Sequence, residues 1–213
     1  MDRPRPRLIL VRHGQPQQHS GRIFLGQTDV PLSERGREEA AAVGEELARR
    51  GIRVACVYAS DLARARETAE IIAVRLGGVP VVPDAHFREL DMGAWDGELI
   101  EDVKRRHPDE YARRGEDLLN YRVPGGENFP DLRARVCEGF RRISRMAQEE
   151  PPTGREGGDA LVIVSHLGVI HALLAELTDE DEAAIWRRRH PTGAVLALDA
   201  TAFPAKVIFQ TPP

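Results

Sequence analysis

The sequence predicts an α/β protein, a single-domain three-layer α/β/α sandwich with a mostly parallel central sheet. Three observations carry this reading. Short, wholly apolar runs recur, at Leu8–Val11, Val54–Tyr58 and Ala160–Val164, and such runs mark strands buried on both faces. Between them lie amphipathic stretches with apolar residues at steps of three and four, the helical period. Strands and helices alternate along the chain, the pattern of a sheet covered by helices on both sides. No repeat at solenoid spacing and no long linker interrupts it, so residues 1–213 read as one domain.

Composition narrows the partners. The chain has 213 residues, 41% of them hydrophobic, enough for one sizeable core. A formal net charge of -4 provides no general attraction to nucleic acid or an anionic membrane, and neither is expected. Cys56 and Cys137 both fall in apolar patterns and form neither a disulfide framework nor a zinc signature. The basic start, Met1 to Arg7, imitates a secretory leader, but the apolar run behind it stops at Val11, too short for the leader's hydrophobic segment. No stretch reaches membrane-spanning length. A soluble, cytoplasmic protein is expected, and its oligomeric state is left open, a homodimer included.

The elements follow in order. Leu8–Val11 is a strand that runs straight into Arg12-His13-Gly14, placing reactive side chains at the carboxyl end of a strand, where open α/β sheets bind ligands. Gly14 is read as the residue that lets the backbone turn sharply. A polar loop, Gln15 to Asp29, leads to Ser33, an N-cap, and Gly51, a C′ residue, for a helix that turns Ala40, Val43 and Leu47 inward. Ser60-Asp61 opens a second helix carrying Leu62, Ala65, Ala69, Ile72 and Leu76, ended by Gly77-Gly78. Val79–Val82 reads as a short strand.

Phe87 to Gly97 is rich in turn residues and reads as a functional loop. A helical stretch from about Glu98 stops before Pro108, and Asp109–Val123 is undecided. After the sharp Pro124-Gly125-Gly126-Glu127 loop, Phe129, Leu132, Val136, Phe140 and Ile143 define a long helix. Pro151–Gly158 is a breaker-rich loop. Ala160–Ser165 then repeats the opening design, a strand ending in His166 ahead of a helix, and strands at Ala194–Leu198 and Val207–Phe209 close the sheet.

With strands 8–11 and 160–165 as neighbours, His13 and His166 meet. Two histidines so placed could bind a metal, form a nucleophile and its partner, or be coincidental. The seven histidines contain no His-x-x-x-His pair, and His166 and His171 lie off a common helix face. Arg12 and Arg64 nearby disfavour a dication. A histidine flanked by arginines suits a phosphoryl group, because guanidinium matches phosphate oxygens bidentately and imidazole can attack phosphorus.

At these residues the chain resembles the histidine phosphatase superfamily, the phosphoglycerate mutase-like proteins. Val11-Arg12-His13-Gly14-Gln15 resembles the family's Arg-His-Gly signature. Gly26 to Gly36 resembles its Gly-x-x-Asp-x-Pro-Leu-x-x-x-Gly segment, and Ser60 to Ala65 its Ser-x-Leu-x-Arg-Ala. Arg88-Glu89 before Gly93-Ala94-Trp95-Asp96-Gly97 resembles its acid loop, and Pro124-Gly125-Gly126-Glu127 and Val164-Ser165-His166 complete the series in the family's order.

The resemblance implies a metal-independent phosphomonoesterase, without cofactor, acting on a small phosphorylated metabolite. His13 would be the nucleophile that becomes a phosphohistidine. Arg12, Arg64 and His166 would surround the phosphoryl oxygens. Glu89 would protonate the leaving alkoxide and then deprotonate water, with Asp91 the alternative acid. A neutral His13 needs a backbone carbonyl on its other nitrogen. The family often carries an asparagine six residues after the nucleophile; here His19 stands there as a phosphate-contact candidate. Gln15-Pro16 replaces the more usual Glu-Thr or Glu-Ser, and Leu167 stands where a second glycine often follows the pocket histidine.

Other conspicuous residues have plainer readings. Glu127 either orients a pocket arginine or caps the next helix. Trp95 reads as loop packing, His86, His107 and His190 as surface or packing residues, and Arg187-Arg188-Arg189 as a solvated helix face. The rivals to hydrolysis are a mutase and a non-catalytic phospho-ligand module. Residues 97–123, a substrate-covering insertion, are shorter than in the mutases the family contains, and a binding module needs neither nucleophile nor acid.

Overall fold

The computed structural model describes residues 7–17, 21–149, 160–199 and 204–211. His19 and the loop Pro151–Gly158 lie outside the described residues. The strands are β1 (Arg7–Arg12), β2 (Val54–Ala59), β3 (Val81–Pro83), β4 (Ala160–Ser165), β5 (Val195–Asp199) and β6 (Lys206–Gln210). The helices are α1 (Glu34–Arg49), α2 (Ala63–Arg75), α3 (Ile100–Arg106), α4 (Pro108–Glu116), α5 (Phe129–Glu149), α6 (Leu167–Leu177) and α7 (Glu182–Arg187). The strands form one sheet in the order β3-β2-β4-β1-β5-β6. The β1–β4, β2–β4 and β2–β3 pairs are parallel, whereas β5 pairs antiparallel with both β1 and β6.

Strand alternation divides the core. Leu8, Leu10, Leu161, Ile163, Leu196 and Leu198 face Phe129, Leu132, Val136 and Ile143 of α5 and Val169, Leu173 and Leu174 of α6. Ile9, Val11, Val162, Val164, Val195 and Ala197 face Val43 and Leu47 of α1 and Ala65, Ala69 and Ile72 of α2. Side chains alternate along a strand, so an all-apolar run serves two helical layers at once. Each fully buried aliphatic side chain contributes about 1.5–3 kcal/mol relative to exposure.

The helix ends explain several motif residues. The Ser33 hydroxyl accepts from the Gly36 amide, capping α1, and Gly51 beyond its end has φ +67°. In α2 the helix starts at Ala63, later than Ser60-Asp61 implied, and no side chain of its own caps it. Asp29 does so across the loops, accepting from the Ala63 amide at 2.6 Å, while the Ser60 hydroxyl accepts from the Leu62 amide at 3.3 Å and lies 2.9 Å from His166 Nε2. The segment 109–123 resolves into α4 and a turn-rich return. A short 3-10 turn at Ala85–Phe87 leads into the loop 87–97, and a second forms within it at Gly93–Trp95. The arginine run leaves α7 at Arg188, an extended C-cap residue, so only Arg187 is helical.

Gly14 owes its place to close approach, and its φ is not among the positive ones. A Cβ there would stand 2.2 Å from the Gly36 carbonyl oxygen, and one on Gly36 would stand 2.1 Å from the Gln15 carbonyl oxygen. The glycine after His13 and the glycine of Pro31-Leu32-Ser33-Glu34-Arg35-Gly36 therefore pack backbone against backbone. Gly14→Ala must push these backbones apart and should destabilise the fold by about 1–3 kcal/mol, read as a lower denaturant midpoint at unchanged slope.

Candidate active site

The site lies where three parallel strands end. Arg12 is level with Ser165 in the β1–β4 ladder. The His13 amide donates to the Ser165 carbonyl at 2.9 Å and the Ser60 amide to the Val164 carbonyl at 3.0 Å. His13 and His166 thus emerge side by side, ring centroids 5.0 Å apart, both buried. His13 Nδ1 lies 2.7 Å from the Gly14 carbonyl oxygen. A carbonyl only accepts, so in the neutral ring Nδ1 carries the proton and Nε2 the lone pair. His166 Nε2 lies 2.9 Å from the Ser60 hydroxyl.

Two guanidiniums border the imidazoles. Arg12 donates through Nη1 to the His190 carbonyl. Arg64, in the first turn of α2 and 1% exposed, donates to the carbonyls of Thr28 at 2.9 Å and Gly26 at 2.7 Å. Those carbonyls are held in turn by Asp96, whose carboxylate accepts from the amides of Gly26, Gln27 and Thr28 and from the Thr28 hydroxyl, at 3.0, 2.6, 3.0 and 2.9 Å. Asp96 is a site-building residue that the sequence signalled only as part of a turn-rich block. The Nε atoms of Arg12 and Arg64 and Nδ1 of His166 are buried without a hydrogen-bond partner among the described residues. Burial opposes the charge on both arginines, and Glu89 is the carboxylate that most supports it.

Glu89 reaches this cluster from the loop between β3 and α3. Its carboxylate accepts from the Gly168 amide at the start of α6, at 3.2 and 3.4 Å, and from the Leu90 amide at 2.9 Å. A helix N-terminus favours such a negative group. Gly168 must stay small, because a Cβ there would lie 2.4 Å from Glu89 Oε1. Asp91, the alternative acid, spends an oxygen on the Gly93 amide at 2.8 Å, inside its own turn.

The remaining expectations sort by packing. Glu127 pairs with Arg135 of α5 at 2.7 Å, an arginine that the sequence reading did not single out. The helix cap is supplied by Asn128 and Asp131, each accepting from the other's amide at 3.0 Å. Trp95 is 2% exposed and lies against Phe24, Tyr111 of α4 and Tyr121, so it fastens the insertion to the loop. His86 pairs with the buried Asp84 and His107 with Glu110 at the surface, while His190 is buried beside His171. Among the described residues no group of His, Cys, Asp or Glu is arranged to hold a metal ion, and no helix is long and apolar enough to cross a membrane.

Electrostatics fixes the protonation. His13 and His166 have pKa values held well below the ordinary 6.5, first by burial and then by Arg64, with Arg12 adding to the effect. Both are neutral at pH 7, so neither brings a third positive charge between the guanidiniums. His171 on α6 is likewise lowered to about 4, chiefly by burial and then by His190, and both its ring nitrogens lack partners among the described residues.

A buried cluster of two guanidiniums, paired imidazoles and a carboxylate, at the carboxyl edge of a doubly covered sheet, defines a class of anion-handling α/β sites. Residues 8–206 match the model of the histidine phosphatase superfamily (branch 1), and the chain belongs to that superfamily. It is 32% identical over 167 residues to phosphoglycerate mutase-like protein 4 of Arabidopsis thaliana, covering 78% of this chain and 68% of that one. Against glucosyl-3-phosphoglycerate phosphatase of Mycolicibacterium vanbaalenii it is 34% identical over 172 residues, 80% of this chain and 73% of the relative. The crystal structure of alpha-ribazole phosphatase from Shigella flexneri superposes with TM-score 0.77 at 26% identity, over 90% and 89% of the two chains. Of longer mycobacterial relatives matched at 36% identity over 181 residues, the chain spans 46%.

The buried neutral histidines predict acid lability. His171 has a folded pKa of about 4 against an ordinary 6.5, so the unfolded chain takes up its proton first as pH falls. Stability is lost from about pH 6.5 down to about 4, by roughly 3 kcal/mol for this group alone. Urea titrations across that range should show the loss, and His171→Leu should flatten it by about one proton's worth of slope.

Proposed function

We propose that this protein is a metal-independent phosphomonoesterase that hydrolyses a small phosphorylated metabolite through a phosphohistidine on His13. One observation carries the reading: a neutral imidazole, its Nδ1 occupied by the Gly14 carbonyl, stands beside a second imidazole and within the field of Arg12 and Arg64. The Nε2 lone pair of His13 attacks phosphorus and the P–O bond to the alcohol breaks. Glu89, entering this step in its protonated form, passes the proton to the departing alkoxide, which would otherwise be a poor leaving group. The ionised Glu89 then takes a proton from water as its oxygen attacks phosphorus. The P–N bond breaks, its electron pair returns to Nε2, and inorganic phosphate forms.

Arg12, Arg64 and His166 hold the three phosphoryl oxygens throughout. Fixed donors are worth most in a site shielded from water, where they need no reorganisation as charge develops. The two guanidiniums can balance much of the phosphoryl charge without a metal. His19, six residues after the nucleophile, is assigned a further phosphate contact. The stretch between the acid loop and Pro124-Gly125-Gly126-Glu127, residues 97–123, is short, which leaves less covering for a second substrate and favours hydrolysis over return of the group. The names of the relatives, phosphatases among them, support the same direction. Two free, buried cysteines, Cys56 and Cys137, suit a reducing cytoplasm.

Incubation with an aryl phosphate should release phosphate, and His13→Ala should lower that release by at least about 10³-fold. Activity surviving that change excludes the mechanism. Positional exchange on a sugar-acid monophosphate, primed by the bisphosphate, would instead identify a mutase. Saturable binding of phosphate without turnover would identify a binding module. A screen of phosphorylated metabolites should name the substrate.

A further inference from the structure

We infer that Arg135 is the positioning residue for the acid Glu89, and that Glu127 aims Arg135 at that task. This rests on the reading of Glu89 as acid and base. The segment 85–91 that carries Glu89 has one 3-10 turn and no strand pairing, so its carbonyls need partners from elsewhere. Arg135, one and a half turns into α5, supplies four of them, and the Ser165 hydroxyl donates to a fifth, that of Phe87, at 2.6 Å. Its Nη1 donates to the carbonyls of His86 at 3.0 Å and Arg88 at 3.1 Å, with that of Ala85 at 3.4 Å. Its Nη2 donates to the Glu89 carbonyl at 3.3 Å.

Glu127 fixes the direction of this fork. Its two oxygens accept from Nε at 2.8 Å and Nη2 at 2.7 Å, the bidentate arrangement that sets a guanidinium plane. The same carboxylate accepts from the Asp91 amide at 3.1 Å, and the Glu127 amide donates to the Asp91 carbonyl at 2.9 Å. The backbone on both sides of Glu89 is therefore tied to one ion pair. Other ties complete the frame: Gln27 Nε2 donates to the Glu89 carbonyl at 3.2 Å, and Arg88 makes a bidentate pair with Asp61 at 2.7 and 2.6 Å.

The geometry assigns a purpose beyond stability. Four carbonyls within five residues converge on one guanidinium, and the last belongs to the residue whose carboxylate meets the α6 amide. With the Glu89 carbonyl pinned on one side and its carboxylate on the other, the side chain has little freedom to leave the leaving-group position. Lysine, a point donor, cannot span these acceptors.

The test separates proton delivery from general damage. In rapid-quench single turnovers, the rate of His13 phosphorylation is measured with an alkyl phosphate, which needs the acid, and with 4-nitrophenyl phosphate, whose leaving group does not. Arg135→Met should slow the alkyl reaction by about 10–100-fold, the scale of a misplaced catalytic group. The nitrophenyl reaction and KM should move less than about threefold. Arg135→Lys should recover only part of the loss, and Glu127→Gln, which keeps the cation, should show the same selectivity in weaker form. The Glu89→Gln/Arg135→Met double variant should be no slower on the alkyl phosphate than Glu89→Gln alone.

Equal losses on both substrates, additive losses in the double variant, or full activity would overturn the assignment. If Arg135→Met does not fold, Glu127→Gln decides by the same comparison. Glu89→Gln without leaving-group selectivity would remove the acid reading and this inference with it. Glu89→Gln selective while Arg135→Met is not would leave the acid in place and refute the clamp alone.

Discussion

The parallel pairing of β1 with β4 is the constraint on which the rest depends. Its register sets Arg12 level with Ser165, so the two strands release His13 and His166 at the same height. A slip of one residue would send every side chain of a strand to the opposite face. The apolar alternation against two helical layers resists that slip, and the burial that stabilises the sheet therefore also sets the site. Hydrophobic packing is non-directional, yet through register it fixes two imidazoles 5.0 Å apart.

Around this pair the chain solves a problem of charge. Arg12 and Arg64 are largely withdrawn from water, which is costly unless each group is hydrogen-bonded. Backbone carbonyls of Gly26, Thr28 and His190 meet much of that need, and Glu89 offsets part of the charge. Carbonyl partners orient a guanidinium without neutralising it. The pocket keeps its positive field, and the neutral imidazoles add no further repulsion. Asp96 staples the loop that supplies two of these carbonyls, and the Glu127–Arg135 pair staples the separate loop that carries Glu89. Asp29 belongs to the same economy, capping α2 from the loop that also holds Arg64.

The aromatic cluster beside the site has a different role. Phe24, Met92, Trp95, Val103 and Val123 form a core of their own, with Tyr111 and Tyr121 against it. It joins residues 100–123 to the loop that follows Glu89.

The sequence by itself determined the layers and the ingredients. Apolar runs and helical spacing announced the strands and long helices, because burial on two faces leaves a pattern that needs no coordinates to read. Arg12, His13, Arg64, Glu89 and His166 were legible because each stands in a short block of turn and cap residues. Tertiary structure alone decided who holds whom. Gly14 is small because Gly36 lies against it, Asp96 matters through amides seventy residues earlier in the chain, and Arg135 looks like any arginine on an amphipathic helix until the carbonyls of 85–89 close around it. Such roles come from contacts between distant segments, and the physical reason they stay hidden is that a hydrogen bond depends on where two groups meet in space, which local residue order does not record.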